Sequence, residues 1–189
     1  PANYTKRFYG PSIMRLGIEK SRNLMTARLA MNLGMEKVQE YARRFSLNDN
    51  LPPLLSMSLG AGETTLLRLT AAYGMLVNGG HKITPSLIDR IQDRHGKTIY
   101  RHDKRQCPKC DRVNEMRKVP ILSDDRPQIA SPTSAFQMVS MLEGVVKRGT
   151  GRYINDLGLV IAGKTGTTND NTNGWFIGFT SDLVVGVFV

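Results

Sequence analysis

Residues 158–170 read Gly-Leu-Val-Ile-Ala-Gly-Lys-Thr-Gly-Thr-Thr-Asn-Asp. Two patterns overlap here. Gly158 to Thr165 satisfies G-x-x-x-x-G-K-[ST], the loop whose backbone amides cradle phosphates. Lys164-Thr165-Gly166 is also a K-T-G triplet, a motif carried on a strand at the edge of a cleft. The four variable positions decide between them. Leu159, Val160, Ile161 and Ala162 are material for a buried strand. A phosphate loop needs instead a flexible turn and then a helix whose first amides face the anion. After Thr165 comes Gly-Thr-Thr-Asn-Asp-Asn-Thr-Asn-Gly, in which no helix can start and persist. Residues 159–166 are therefore read as a strand, and nucleotide binding is set aside.

Working outward, two more strand-like runs follow at 174–179 and 183–189, joined by short polar connections that favour antiparallel hairpins. Upstream, Ser131-Pro132 opens a long helix in the N-cap, Pro-at-N1 manner, with Phe136, Met138, Val139, Met141, Leu142, Val145 and Val146 as its apolar face. Gly149-Thr150-Gly151 ends it. Residues 11–33 carry apolar positions at helical intervals, split into two helices by Lys20-Ser21-Arg22-Asn23. Ser21 or Asn23 is a candidate cap for the second of these, and Gly34 a C-terminal stop. A short helix over 35–45 follows, with Val38, Tyr41, Ala42 and Phe45 on one face. Pro52-Pro53 forces an extended segment. Thr64 or Thr65 then caps an apolar helix over about 65–77 that Asn78-Gly79-Gly80 stops. Alternating apolar residues around Arg94-His95-Gly96 predict a surface β-hairpin. Residues 101–127 are polar and without period, as in an insertion or mobile loop. Helices followed by a meander predict an α+β layered domain, with helices packed on an antiparallel sheet.

The chain has 189 residues, 40% of them hydrophobic, and a formal net charge of +10. Its basic residues are spread and interleaved with acids, with no aromatic-flanked basic box, so a solvated surface is expected rather than nucleic-acid binding. The terminal apolar run at 183–189 is far shorter than the roughly 20 residues of a membrane span. Cys107-Pro-Lys-Cys110 is half of a four-ligand zinc site, and His95 and His102 lie at irregular spacings. A local disulfide or two free thiols is the expected state; no metal and no cofactor are expected.

A K-T-G strand lets a peptide lie alongside an approachable glycine backbone, while the lysine and threonine hydroxyls face a substrate carboxylate. Such a triplet needs a partner, S-x-N, at a break between helices. Ser21-Arg22-Asn23 fits in type and setting. With it the chain resembles the transpeptidase domain of class A penicillin-binding proteins. The resemblance extends over Phe8-Tyr-Gly-Pro11, Ser21-Arg-Asn23, Leu59-Gly-Ala-Gly-Glu-Thr-Thr65, Ala72-Tyr73, Asn78-Gly-Gly80, Arg148-Gly-Thr-Gly151 and Gly163-Lys-Thr-Gly-Thr-Thr-Asn-Asp170. Thr167-Thr168 after K-T-G points to class A, because class B relatives more often have alanine at the second place.

The resemblance implies a β-lactamase/transpeptidase-like fold and a D,D-transpeptidase that cross-links peptidoglycan stem peptides through a serine acyl-enzyme. β-Lactams would acylate the same serine. It implies a proton relay through Ser21, an amide contact from Asn23, and positive potential from Lys164 with a link to Ser21. Thr165 and Thr167 would grip the carboxylate beside Gly166 and Thr168, and the Thr167 N–H would be an oxyanion donor. It further implies an upstream glycosyltransferase domain, possible cell-wall synthesis partners, and an extracytoplasmic site on the inner membrane, anchored by a segment outside the chain. The S-x-x-K nucleophile motif of the family is missing: Ser12 leads to Arg15, Ser46 to Asp49 and Ser123 to Arg126. Because that motif precedes S-x-N and Pro1 is not a natural start, residues 1–189 are read as a partial domain, incomplete at both ends and inactive alone. A serine β-lactamase and a non-catalytic β-lactam or peptidoglycan sensor are the alternatives.

Overall fold

The computed structural model describes residues 3, 7–105, 122, 124–168 and 173–189. Cys107 and Cys110, and with them the expectations of a disulfide or thiols, lie outside these residues. The chain divides into two compact units. One comprises residues 1–83 and 128–189, and the other is Thr84–Pro127.

The larger unit begins with α1 (Met14–Glu19), α2 (Asn23–Leu33) and α3 (Met35–Arg44). Gly34, at φ 85, ends α2 and starts α3, a backbone state that glycine adopts without a Cβ penalty. The cap of α2 differs from expectation. Its N-cap is Arg22, with no side-chain cap bond, and the N–H of Leu24 donates instead to Asn3 Oδ1 at 3.3 Å. A remote residue supplies what a local one was expected to give. Arg22 itself reaches back, stacking over the Tyr9 ring at 4.0 Å and donating to Ser12 Oγ at 2.9 Å.

After a 3₁₀ turn at Leu55–Leu59 comes α4 (Leu66–Val77), capped by Thr65, whose side chain accepts from the Arg68 N–H. α5 (Pro132–Arg148) is capped by Ser131 in the same way, with Pro132 in its first turn. Both caps satisfy an amide that the helix cannot. A 3₁₀ turn at Arg152–Leu157 then leads to β3 (Ala162–Thr167), β4 (Gly174–Phe179) and β5 (Val184–Phe188). These form an antiparallel sheet in the order β3-β4-β5, pairing Lys164 with Ile177 and Ile177 with Gly186.

The period of two along these strands assigns their faces. Ala162, Phe179 and Val184 sit in register and pack with Leu142 and Val145 of α5, Tyr73, Leu76 and Val77 of α4, and Ile18 of α1. Lys164 and Ile177 share that helix-covered face. Val145 and Met75 are fully buried and Ile177 is 2% exposed, each stabilising the unit by about 1.5–3 kcal/mol. The opposite face carries Val185 and Val187, half-exposed, and the Phe176 ring, which lies over Gly163 and Gly178.

Two expectations about burial fail. Leu159 and Val160 are 61% and 76% exposed and precede the strand, which begins only at Ala162. β4 ends at Phe179, where Thr180 starts a turn closed by a bond from its N–H to the Leu183 carbonyl. Residues 159–161 thus extend past the end of their neighbour, and apolar character alone cannot supply a pairing partner. Phe136, in the second turn of α5, is 73% exposed, and Leu29 and Leu33 of α2 are also exposed.

The smaller unit holds the expected hairpin, β1 (Arg90–Gln92) with β2 (Thr98–Arg101), exposed along both strands. Asp93 Oδ1 accepts from the N–H groups of His95 and Lys97, closing the turn over Gly96.

Candidate active site

Lys164 sits in the middle of β3, where alternation directs its side chain to the helix-covered face. That placement has an electrostatic consequence. Burial away from water penalises its ammonium and pushes its pKa down to about 8 from an ordinary 10.5. The Nζ donates to Ser21 Oγ at 2.8 Å and to the Thr165 carbonyl at 2.8 Å. Ser21 occupies the break between α1 and α2 at φ 51, a left-handed backbone state uncommon for a residue with a Cβ. Its N–H donates to the Ile18 carbonyl and that of Arg22 to the Gly17 carbonyl, so the break is a closed turn rather than a loose loop.

Thr165 and Thr150 place their hydroxyl oxygens 2.7 Å apart, joining the K-T-G strand to the Arg148-Gly149-Thr150-Gly151 turn. Gly166 passes close to Trp175, so that a Cβ there would lie 3.2 Å from the Trp175 Cβ. Thr167 ends β3 opposite Gly174 and is exposed. Thr168 and Asn173 bond reciprocally: the Thr168 N–H donates to the Asn173 carbonyl, and the Asn173 N–H to Thr168 Oγ1. Asn23 begins α2, two residues from Ser21.

A cavity of about 470 Å³ opens beside the strand. Lys164, Thr165, Gly166 and Thr168 line it together with Glu63 and Thr64 from the glycine-rich segment before α4. Of the residues expected at the site, Lys164, Thr165, Gly166 and Thr168 line the cavity, Ser21 joins them through its bond to Lys164, and Asn23 and Thr167 are not among the lining residues. Thr150, Glu63 and Thr64 were not expected there. Their signal was present, since both motifs that hold them belong to the family pattern, but nothing local places them beside K-T-G. Among the described residues no cluster of His, Cys, Asp and Glu could hold a metal ion, and no helix is long and apolar enough to cross a membrane.

An S-x-N serine bonded to a K-T-G lysine, beside an open strand, agrees with what comparison with known proteins finds. The model of the penicillin binding protein transpeptidase domain matches residues 2–188. The chain belongs to this family. It is 46% identical over 194 residues to penicillin-binding protein 1A of Rickettsia bellii, covering all of this chain and 24% of that protein. It is 36% identical over 191 residues to penicillin-binding protein 1A of Neisseria meningitidis, covering all of this chain and 22% of that protein. The crystal structure of penicillin-binding protein 1A from Haemophilus influenzae superposes with a TM-score of 0.81 at 28% identity, covering 100% of this chain and 31% of that one. The D,D-transpeptidase domain of an Eggerthella lenta peptidoglycan glycosyltransferase, with a TM-score of 0.73 at 21% identity over 98% of this chain and 50% of that one, shares the fold. The α+β class is therefore that of penicillin-binding protein transpeptidase domains. The chain spans about a quarter of the length of the curated relatives it matches.

Proposed function

We propose that this chain forms one wall of a serine D,D-transpeptidase site in a longer, bifunctional penicillin-binding protein, and that the nucleophilic serine and its lysine come from a preceding segment. The bond from Lys164 Nζ to Ser21 Oγ at 2.8 Å carries this reading, because it joins the two motifs that such a reaction needs side by side.

In the reaction, the serine oxygen attacks the carbonyl carbon of the penultimate D-alanine of a stem peptide. The new C–O bond forms, the C–N bond breaks, and D-alanine leaves with a proton passed through Ser21. An amine from a second stem then attacks the ester, returns a proton to the serine oxygen and takes the acyl group. Lys164, mostly charged at neutral pH, sustains the relay and attracts the carboxylate. Thr165 and Thr167 bind that carboxylate, the Thr167 N–H faces the oxyanion, and Asn23 holds the peptide amide. Gly166 and Thr168 complete the strand edge. A β-lactam carries the same amide and carboxylate and acylates the same serine. The whole protein would also polymerise glycan through an upstream domain and work at the extracytoplasmic face of the inner membrane, held there by an anchor outside this chain.

Labelled penicillin tests this. The 189-residue chain is expected to take no covalent label, whereas the longer protein takes one label on a serine upstream of S-x-N. Label on the isolated chain, or none on the longer protein, would overturn the reading.

A further inference from the structure

Glu19 is a buried carboxylate for which the proposed reaction has no use. It closes α1, two residues before Ser21, and is 2% exposed. Its Oε2 accepts from Arg148 Nε at 2.9 Å and its Oε1 from Arg148 Nη2 at 2.5 Å, the two-pronged geometry that only a guanidinium supplies. Two bonds to main-chain carbonyls run alongside. The Thr150 N–H donates to the Glu19 carbonyl at 3.1 Å, and Lys20 Nζ donates to the Arg148 carbonyl. Arg15 adds a second cation, 3.8 Å from Oε1, while its own guanidinium donates to the Ser140 carbonyl and hydroxyl.

The surrounding sequence makes room for this arrangement. A Cβ at position 144 would fall 2.1 Å from Glu19 Oε1, and one at position 149 would fall 2.3 Å from the Glu19 carbonyl oxygen. Both positions are glycine. Only the carboxylate has left water: the Glu19 side chain is 3% exposed and that of Arg148 is 54% exposed. Such a pair is a weak source of net stability, because desolvating the carboxylate offsets much of the attraction. Its directional bonds instead fix geometry, and here they join the segment before Ser21 to the turn that carries Thr150.

Ser21 stays in a left-handed state only because its surroundings hold it there. Its hydroxyl must meet Lys164, just as the Thr150 hydroxyl must meet Thr165. We infer that Glu19 and Arg148 are positioning residues for acyl transfer: a buried carboxylate clamped by one guanidinium sets both contacts at once, aligning the relay serine and the hydroxyls at the carboxylate seat. The inference rests on the transpeptidase reading.

The test uses the longer protein that supplies the nucleophile. Acylation by a penicillin and by its methyl ester is measured for the parent, Glu19→Gln, Arg148→Lys and the double variant Glu19→Met/Arg148→Met, with a thermal melt of each. Displacing a reacting group by an ångström commonly costs about 100-fold. Each variant is expected to lose about 10- to 100-fold in the first-order acylation constant at temperatures where it is folded. The preference for the penicillin over its ester is expected to shrink as well. The double variant, with its apolar pair, is expected to melt near the parent and yet remain slow, an outcome that a purely structural role would not give. Folded variants with the parent's acylation constant and ester discrimination would overturn the inference alone. A parent protein that takes no label would overturn the transpeptidase reading, and the inference with it.

Discussion

Lys164 Nζ and Ser21 Oγ lie 2.8 Å apart although 143 positions separate them in the chain. The contact forms because β3 turns Lys164 toward the helices while the break between α1 and α2 turns Ser21 toward the sheet. Burial that discourages the ammonium charge and a hydroxyl that accepts from it then act on the same nitrogen. The lysine is left close to the point where it can give or take a proton.

The first consequence is a pH dependence centred on Lys164. Its folded pKa, about 8, lies below the ordinary 10.5. The charged form predominates below pH 8 and is lost above it. Between pH 8 and 10.5 the unfolded chain binds more protons at this site than the folded one, so this residue's contribution to stability rises with pH across that window. A ¹³C titration of the Lys164 Cε is expected to show a midpoint near 8; a midpoint above 10 would refute it. In the longer protein, affinity for a carboxylated β-lactam is expected to fall above pH 8, and Lys164→Gln to remove that dependence.

Thr165→Val keeps the shape of the side chain and deletes the hydroxyl that meets Thr150 at 2.7 Å. A hydrogen bond to a charged group is worth about 1.5–3 kcal/mol. Binding of a carboxylated β-lactam is therefore expected to weaken by roughly 10-fold or more, with the thermal midpoint nearly unmoved. Competition titration against a fluorescent penicillin measures this, and an unchanged affinity would count against a carboxylate role.

Gly163→Ala and Gly158→Ala separate crowding from backbone strain. A Cβ at position 163 would meet the Ile177 carbonyl oxygen at 2.7 Å and the Phe176 ring at 2.8 Å, inside the β3–β4 pairing. Overpacking there is expected to cost about 1–3 kcal/mol. Gly158 has open space around it but φ 68, and alanine in that state costs roughly 1 kcal/mol. Denaturant midpoints should rank the parent above Gly158→Ala and that above Gly163→Ala; the reverse order of the two variants would show that the sheet relaxes around the added methyl.

What the sequence by itself determined is local. The Ser131 and Thr65 caps, the glycine between α2 and α3, and the meander were legible because capping and alternation act within a few residues. So was the decision against a phosphate loop, since Lys164 and Thr165 sit inside a strand rather than at the start of a helix. The extent of that strand was not legible. Leu159 and Val160 look like strand and core, but strand formation needs a partner, and β4 ends opposite Ala162. Ser21, Asn23 and Lys164 could be named from the family pattern. That Ser21 holds a left-handed state against Lys164, that Thr150 joins Thr165, and that Glu19 is buried under Arg148 were decided only by tertiary packing. Each depends on side chains from elements far apart in the chain, and no periodicity records which distant element will lie alongside.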